Sequence, residues 1–547
     1  MVIESKKTKI GPLVLLFLLL VTGGFLRIWG LANTSFWVDE VNTVYAAQNY
    51  VTNGKMELPS GMKYERAQIY TYTVAWVYKY FGVNETTSRL PSAFFGIGCI
   101  LLAYLLGSQL GGRQVGLMSA FLVAFSHFEV GWSRVSRMYT LLQLMTLIAS
   151  YAFLKGFESG KTILLKATTA QKTVYVIKQM LWVAVSFAII ALAAFKVHYL
   201  ALFIPVALTC YVVSHAFYSL FSGQGYGKWM NRYSIGSLLI FIFTIVVWYA
   251  VPLLRDKAQF FLAYTPPWAT GLSSAQDKLY LFDFLVSPFR FPIAAFFFIG
   301  AVQCIIRRRT KGWLYLWFFI VPLFLLSFLF THRKPTYLFY VYPYFLILSA
   351  YGFVNMVKSE WDWLKTDFSI EREKVKKMLL LLFGFIFILA PWFRVTWHIP
   401  FQGDGMTNWA VTHDEWRQAV QIVHERKQPD DLIISSLPQV SMYYGLNADY
   451  GLNWANLAQS RDKQFVKNGQ LVDVYAGTPF ISSTAMLDSL VQHHRAGWIL
   501  ITKYHFDHAI VIPEDVREYV IHHFGEPILT DKSSVLIFQW LDQNGAK

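Results

Sequence analysis

GPLVLLFLLLVTGGFLRIWG, residues 11–30, decides what kind of protein this is. The stretch carries one charge, Arg27, and has the length a helix needs to cross a hydrocarbon core of about 30 Å. It is longer than the apolar part of a secretory signal, and no small-residue cleavage site follows, so it reads as a retained span. Similar blocks recur along the chain. Together they predict eleven spans, near residues 11–30, 89–110, 114–128, 137–155, 180–195, 199–221, 234–254, 288–306, 313–330, 336–357 and 377–394. The 547-residue composition agrees: 55% apolar and 18% aromatic residues exceed ordinary soluble usage, and mean hydropathy is +0.39.

Basic residues orient these spans. Lys6, Lys7 and Lys9 precede the first span. Lys155, Lys161, Lys166, Lys172 and Lys178 crowd the segment around and after the end of the fourth, and Arg307, Arg308, Arg309 and Lys311 follow the eighth. With eleven spans all three clusters share one face, which the positive-inside rule makes cytoplasmic. The chain is therefore expected to be a multi-pass cell-membrane protein with a cytoplasmic N-terminus and an extracytoplasmic C-terminal region. The net charge of +15 belongs to this topology and not to nucleic-acid binding. Cys99, Cys210 and Cys304 lie inside apolar blocks, without disulfide or metal-cluster spacing.

Two regions follow, a membrane domain over residues 1–398 and a hydrophilic domain over 399–547. The outer loop 31–87 contains two stretches with apolar residues at helical spacing, around Val41–Tyr50 and Ile69–Phe81, which suit helices lying in the interface. Pro266 and Pro267 break any long helix in the outer segment between Arg255 and Ser287. In the hydrophilic region Thr412-x-x-Glu415 is a capping-box pattern opening a helix to about Arg426. Strand-like runs at Leu432–Ser435, Gly497–Thr502 and Val535–Gln539 alternate with helical stretches near Thr484–His494 and Glu514–His523. That alternation predicts a small α/β domain. It has no glycine-rich phosphate loop.

The sharpest chemical signal is Trp37-Val38-Asp39-Glu40, directly after the first span. Adjacent carboxylates beside hydrocarbon are costly. They can cap the helix that follows, or one can serve as a general base that deprotonates an acceptor hydroxyl while a lipid-borne donor stays in the membrane. Tyr64-Glu65-Arg66 precedes an aromatic run through Tyr70, Tyr72 and Trp76. Arg66 can pair with a lipid phosphate, and Glu65 can orient it or hold a divalent cation; an ordinary surface ion pair is the plain alternative. Arg134 and Arg137, Lys196 and His198, and Arg333 and Lys334 sit in short turns on the predicted outer face, where the charge rule does not call for them. Each alone reads as a snorkelling anchor. Several loops giving cations to one face point to an anion site of phosphate or pyrophosphate type.

Read in order, Asp39-Glu40, Tyr64-Glu65-Arg66, Phe81-Gly82-x-x-Glu85-x-x-x-Arg89-Leu90-Pro91-Ser92, Arg137-Met138-Tyr139, His198-Tyr199 and Arg333-x-x-x-Tyr337 resemble the GT-C membrane glycosyltransferases, in their protein O-mannosyltransferase and aminoarabinose transferase-like branch. The resemblance covers the membrane region. It implies a GT-C-like polytopic α-helical protein of about eleven spans with a C-terminal extracytoplasmic α/β domain. It further implies an inverting enzyme that uses a polyprenyl-phosphate sugar, with membrane lipids around it and a protein, lipid or glycan acceptor. Asp39, with Glu40, becomes the catalytic carboxylate. Glu65, Arg66, Arg137, His198, Arg333, Lys334 and Tyr337 become donor and phosphate-binding residues. A divalent metal ion remains a candidate cofactor with no ligand assigned. The chain departs from the pattern at Asn42, where some members carry Arg, at Ala67 and Gln68, where prolines are common, and at Tyr139, where some relatives are acidic; Glu129 lies near. A flippase of lipid-linked saccharide would instead show charges at mid-span and paired repeats with broken helices. A membrane scaffold would leave the acidic pair and the outer cations without a task.

Overall fold

The structure is a computed structural model that describes residues 10–157, 168–221, 276–287, 290–331, 333–366, 396–397, 399, 414–530 and 534–541. The membrane part begins with α1 (Ile10–Ile28) and continues through α2 (Val38–Asn53), α3 (Gln68–Phe81), α4 (Glu85–Gly111), α5 (Arg113–Phe125), α6 (His127–Ser133) and α7 (Tyr139–Phe157). It then runs through α8 (Thr169–Lys196), α9 (Phe203–Phe221), α10 (Tyr280–Val286), α11 (Phe291–Ile306), α12 (Thr310–Phe328) and α13 (Tyr342–Thr366). Among the described residues seven helices are long and apolar enough to cross a membrane, and nine spans result if α5 with α6 and α10 with α11 each count as one. These nine fall where nine of the expected spans were read. The other two, 234–254 and 377–394, lie outside the described residues, as do the loop lysines Lys161 and Lys166.

The span read at 114–128 looked short because it is broken. The chain bends 59° between α5 and α6, and Ser126 caps the second piece by accepting from Glu129 N at 3.4 Å. Where α11 crosses α13 the backbones touch: a Cβ on Gly300 would lie 2.1 Å from the Leu348 carbonyl oxygen, and one on Gly352 would lie 2.2 Å from that of Phe296. Small residues at such crossings allow the close approach that holds helices together in lipid. Two arginines close one end of the bundle. Arg27 donates to the Gly23, Val123 and Ala124 carbonyls, and Arg134 donates to those of Leu26, Trp29 and Gly30.

The C-terminal domain comprises α14 (Trp416–Arg426), β1 (Leu432–Ser435), α15 (Pro438–Tyr443), β2 (Tyr450–Gly451), α16 (Trp454–Asp462), β3 (Val466–Lys467), β4 (Gln470–Leu471), α17 (Thr484–His493), β5 (Ala496–Thr502), α18 (Lys503–Asp507), α19 (Glu514–Phe524), β6 (Ile528–Leu529) and β7 (Val535–Leu541). Five strands form one sheet in the order β2-β1-β5-β7-β6. The first three are parallel, and β7 is antiparallel to both of its neighbours. β1 is buried throughout and β5 nearly so, as expected of strands covered by helices on both faces. The predicted α/β domain is thus present, with the three expected strands within two residues of their limits and four short strands, β2, β3, β4 and β6, in addition. Thr412 of the capping pattern lies outside the described residues, and the helix starts at Trp416.

This domain does not hang from a tether. Arg417 donates from its backbone to Ser35 Oγ at 3.2 Å and from its guanidinium to Ala32 O at 3.1 Å, and it pairs with Glu85. Tyr444 OH accepts from Phe36 N at 2.7 Å and donates to Glu85 at 3.1 Å. Tyr45 OH donates to Gln439 O at 3.2 Å. The domain therefore packs on the loop and helices that follow the first span, the same segment that carries Asp39.

Candidate active site

The acidic pair divides its labour. At the start of α2, Glu40 Oε2 accepts from Trp37 N at 3.0 Å and Oε1 from Ser136 N at 2.6 Å. Both oxygens also take Arg89, whose Nε lies 2.9 Å and Nη2 2.8 Å away. Glu40 and Arg89 are wholly buried. With both oxygens occupied and buried, Glu40 offers no open carboxylate surface, and of the two residues expected to be catalytic only Asp39 does. Glu40 instead ties α2 to α4 and to the turn before α7. Arg89 adds donations to the carbonyls of Leu31, Thr34 and Ser35 and lies over the Phe36 ring at 5.0 Å. The loop leading into α2, and with it the first turn that bears Asp39, is thereby held in place.

Asp39 keeps its side chain 37% exposed, with Oδ2 3.5 Å from Arg137 Nη2. Arg137 donates to the Asp39 carbonyl at 3.0 Å and to the Tyr64 hydroxyl at 3.2 Å. Tyr64 OH also meets Thr43 Oγ1 at 3.2 Å. The guanidinium thus fixes both the backbone and the side chain of Asp39 while leaving carboxylate surface open.

Further cations gather on the same side. Arg66 is exposed, and Asp39, Tyr64 and Tyr475 lie within reach of its charge. Lys334 is close enough to sense Asp39 and Arg137. Burial pushes its ammonium below the usual lysine range; Asp39 works against that, and Arg137 adds to it. Tyr337, half-buried, faces the same charges. Glu65 is exposed beside Arg66.

Two expected residues sit differently. Arg333 is buried, its Nε donates to Ser327 O at 2.6 Å and the carboxylate it senses is Asp277, whereas the adjacent Lys334 lies within electrostatic reach of Asp39. His198 accepts from Leu200 N through Nδ1 at 3.2 Å, capping the turn that precedes α9. Its ring lies 5.7 Å from that of Tyr139, which borders the Asp39 cleft. Sequence reasoning assigned no role to Arg89 or Tyr475. An arginine four residues into an apolar helix is itself a signal that a buried carboxylate must answer it. Nothing local marks Tyr475.

Glu40 is consumed by Arg89, and among the described residues no group of three or more His, Cys, Asp or Glu side chains could hold an ion. Three cations, Arg66, Arg137 and Lys334, gather around one partly open carboxylate, which suits an anion. The apolar groove of about 670 Å³ between α1, α5 and α13 has Lys358 as its one charged lining residue and lies apart from this chemistry.

No family model matches the chain. Among solved structures, ArnT from Cupriavidus metallidurans bound to undecaprenyl phosphate superposes with a TM-score of 0.55 at 13% identity, covering 97% of this chain and 98% of that one. The apo form of the same protein gives 0.57 at 12%. The fold is GT-C. The archaeal oligosaccharyltransferase AglB from Archaeoglobus fulgidus, in complex with an inhibitory peptide and a dolichol-phosphate, gives 0.55 at 11% identity, over 99% of this chain and 75% of that one. At these identities the likeness speaks for the GT-C architecture alone. In sequence, YkcB of Bacillus subtilis (strain 168), by its name a proposed mannosyltransferase, is 26% identical over 176 residues, 30% of this chain and 23% of that protein. The chain thus matches less than a quarter of that relative's length.

Proposed function

We propose that this protein is an inverting glycosyltransferase that moves a sugar from a polyprenyl-phosphate donor to an acceptor hydroxyl on the extracytoplasmic face of the membrane. The observation that carries this reading is a half-open carboxylate, Asp39, held by Arg137 at a cleft that Arg66 and Lys334 make cationic. Support comes from the GT-C fold shared with ArnT and AglB, whose structures hold undecaprenyl phosphate and a dolichol-phosphate, and from the partial match to YkcB.

In the proposed reaction the acceptor oxygen attacks the anomeric carbon from the face opposite the lipid phosphate. Its O–H proton passes to the Asp39 carboxylate. The bond from the anomeric carbon to the phosphate oxygen breaks, and polyprenyl phosphate leaves with the bonding pair. Arg66 and Lys334, with Tyr337 beside them, offset the charge that grows on the leaving oxygen, the term that contributes most in a site shielded from water. Arg137 holds the Asp39 backbone and side chain in place. Arg333 and His198 support the walls of the cleft.

The test is transfer by the purified protein in nanodiscs, with polyprenyl-phosphate mannose as donor probe and a panel of hydroxyl acceptors. Asp39→Asn should slow sugar transfer by roughly 10²–10⁴-fold, the usual worth of a general base. Equal rates for the variant and the wild type would remove Asp39 from the mechanism.

A further inference from the structure

The C-terminal domain brings a residue to the cleft. Between β4 and α17 the chain makes a tight turn over Asp473–Thr478, fixed by the buried Asp473 carboxylate. Its Oδ1 accepts from Tyr475 N and Ala476 N, both at 2.8 Å, and its Oδ2 accepts from Asn456 Nδ2 at 3.1 Å. The turn is pressed on the outer loop of the membrane domain. Ser60 donates from N to Tyr475 O at 3.1 Å and from Oγ to Val474 O at 2.6 Å. Gly477, at φ +79°, approaches so closely that a Cβ there would lie 3.1 Å from Ser60 Cα. The Tyr475 ring packs on the small cluster of Ala46, Leu58 and Tyr64. Tyr64 is the residue that binds Arg137, which in turn holds Asp39. Arg66 and Asp39 lie within electrostatic reach of the Tyr475 hydroxyl.

That hydroxyl donates its hydrogen to Gln459 Oε1 at 3.1 Å. Its oxygen lone pairs are then oriented to accept. A half-buried aromatic ring, an accepting phenol oxygen and a carboxamide stand together within electrostatic reach of the proposed base. An acceptor with one hydroxyl would satisfy Asp39 alone. A polyol could deliver one hydroxyl to Asp39 and a neighbouring one to Tyr475 while its ring face lies on the aromatic.

We propose that the C-terminal domain forms the acceptor wall of the site, with Tyr475 as an acceptor-binding residue selecting a sugar hydroxyl over a simple alcohol. This rests on the glycosyl-transfer reading. A site built to hydrogen-bond a second hydroxyl penalises an acceptor that lacks it.

The experiment uses the full-length protein and polyprenyl-phosphate mannose, and offers octyl glucoside or 1-octanol as acceptor probe while following hydrolysis of the donor by water. Wild type should favour the glucoside over the alkanol by about ten-fold or more. Tyr475→Phe should cut the ratio of glucoside transfer to hydrolysis by about five-fold, the worth of one neutral hydrogen bond, through a raised KM for the glucoside with the donor KM unmoved. Gln459→Met, which leaves the ring in place, should act in the same direction. An unchanged ratio in both variants, a shift in donor KM equal to that for the glucoside, or equal wild-type use of octanol would each overturn the proposal while leaving glycosyl transfer standing. A wild type that neither transfers nor hydrolyses would overturn the underlying reading, and this inference with it.

Discussion

Lys334 and Arg333 are neighbours with different fates. The sequence presents two adjacent cations in a short turn, and periodicity cannot say which one enters the cleft, because neither lies in a regular element. In the structure Arg333 donates to Ser327 O, and Lys334 lies within electrostatic reach of Asp39. Burial lowers the proton affinity of Lys334, so it loses its charge at a lower pH than an exposed lysine does. Donor capture that relies on this cation should be intact below that lowered value and fall as pH rises through it. The pH profile of kcat/KM for polyprenyl-phosphate mannose should therefore show an alkaline limb that moves to higher pH in Lys334→Arg, whose guanidinium keeps its charge. An identical limb in both proteins would exclude Lys334 as its origin. The Asp39–Glu40 pair shows the same limit of local reading. Glu40 takes the capping role by accepting from Trp37 N, Asp39 keeps an open carboxylate, and only the partner Arg89, 49 residues away, distinguishes the two.

The elements themselves were mostly legible, because a span's length and apolarity are properties of its own residues. The break between α5 and α6 was less so. Ser126-His127 looks like an interruption of a short span, and the bend appears only when Ser126 is seen to cap a second helix. Interactions between elements can be tested one at a time. Arg89→Met leaves Glu40 charged and uncompensated in a buried setting, and should cost about 3–5 kcal/mol, read as a lower unfolding temperature in detergent. An unaltered unfolding temperature would mean that the pair does not hold α2 on α4. Gly300→Leu should force α11 and α13 apart and destabilise the bundle by about 1–3 kcal/mol or more, since the space a Cβ would need is filled by backbone. Retained stability in that variant would contradict the close crossing.

Across the whole molecule, hydropathy and loop charge supply the membrane domain, and alternating patterns supply the α/β domain. How the two meet was not legible. The contacts at Ser35, Ser60, Glu85 and Tyr45 join residues more than 300 positions apart, and each is an ordinary surface residue in its local sequence. The proposed topology is checked by labelling introduced cysteines with a membrane-impermeant reagent in intact cells. A cysteine in the C-terminal domain should react, and one at Lys161 should react only after permeabilisation; matching behaviour at both would refute the eleven-span arrangement.

The central claim is that a lipid phosphate docks in the cleft that Asp39 faces. An experimental structure of the protein with a bound polyprenyl-phosphate sugar analogue tests it most directly. Phosphate density is expected between Arg66 and Lys334, with the sugar turned toward the Asp39 carboxylate. Phosphate density elsewhere on the protein, with the Asp39 cleft empty, would contradict it.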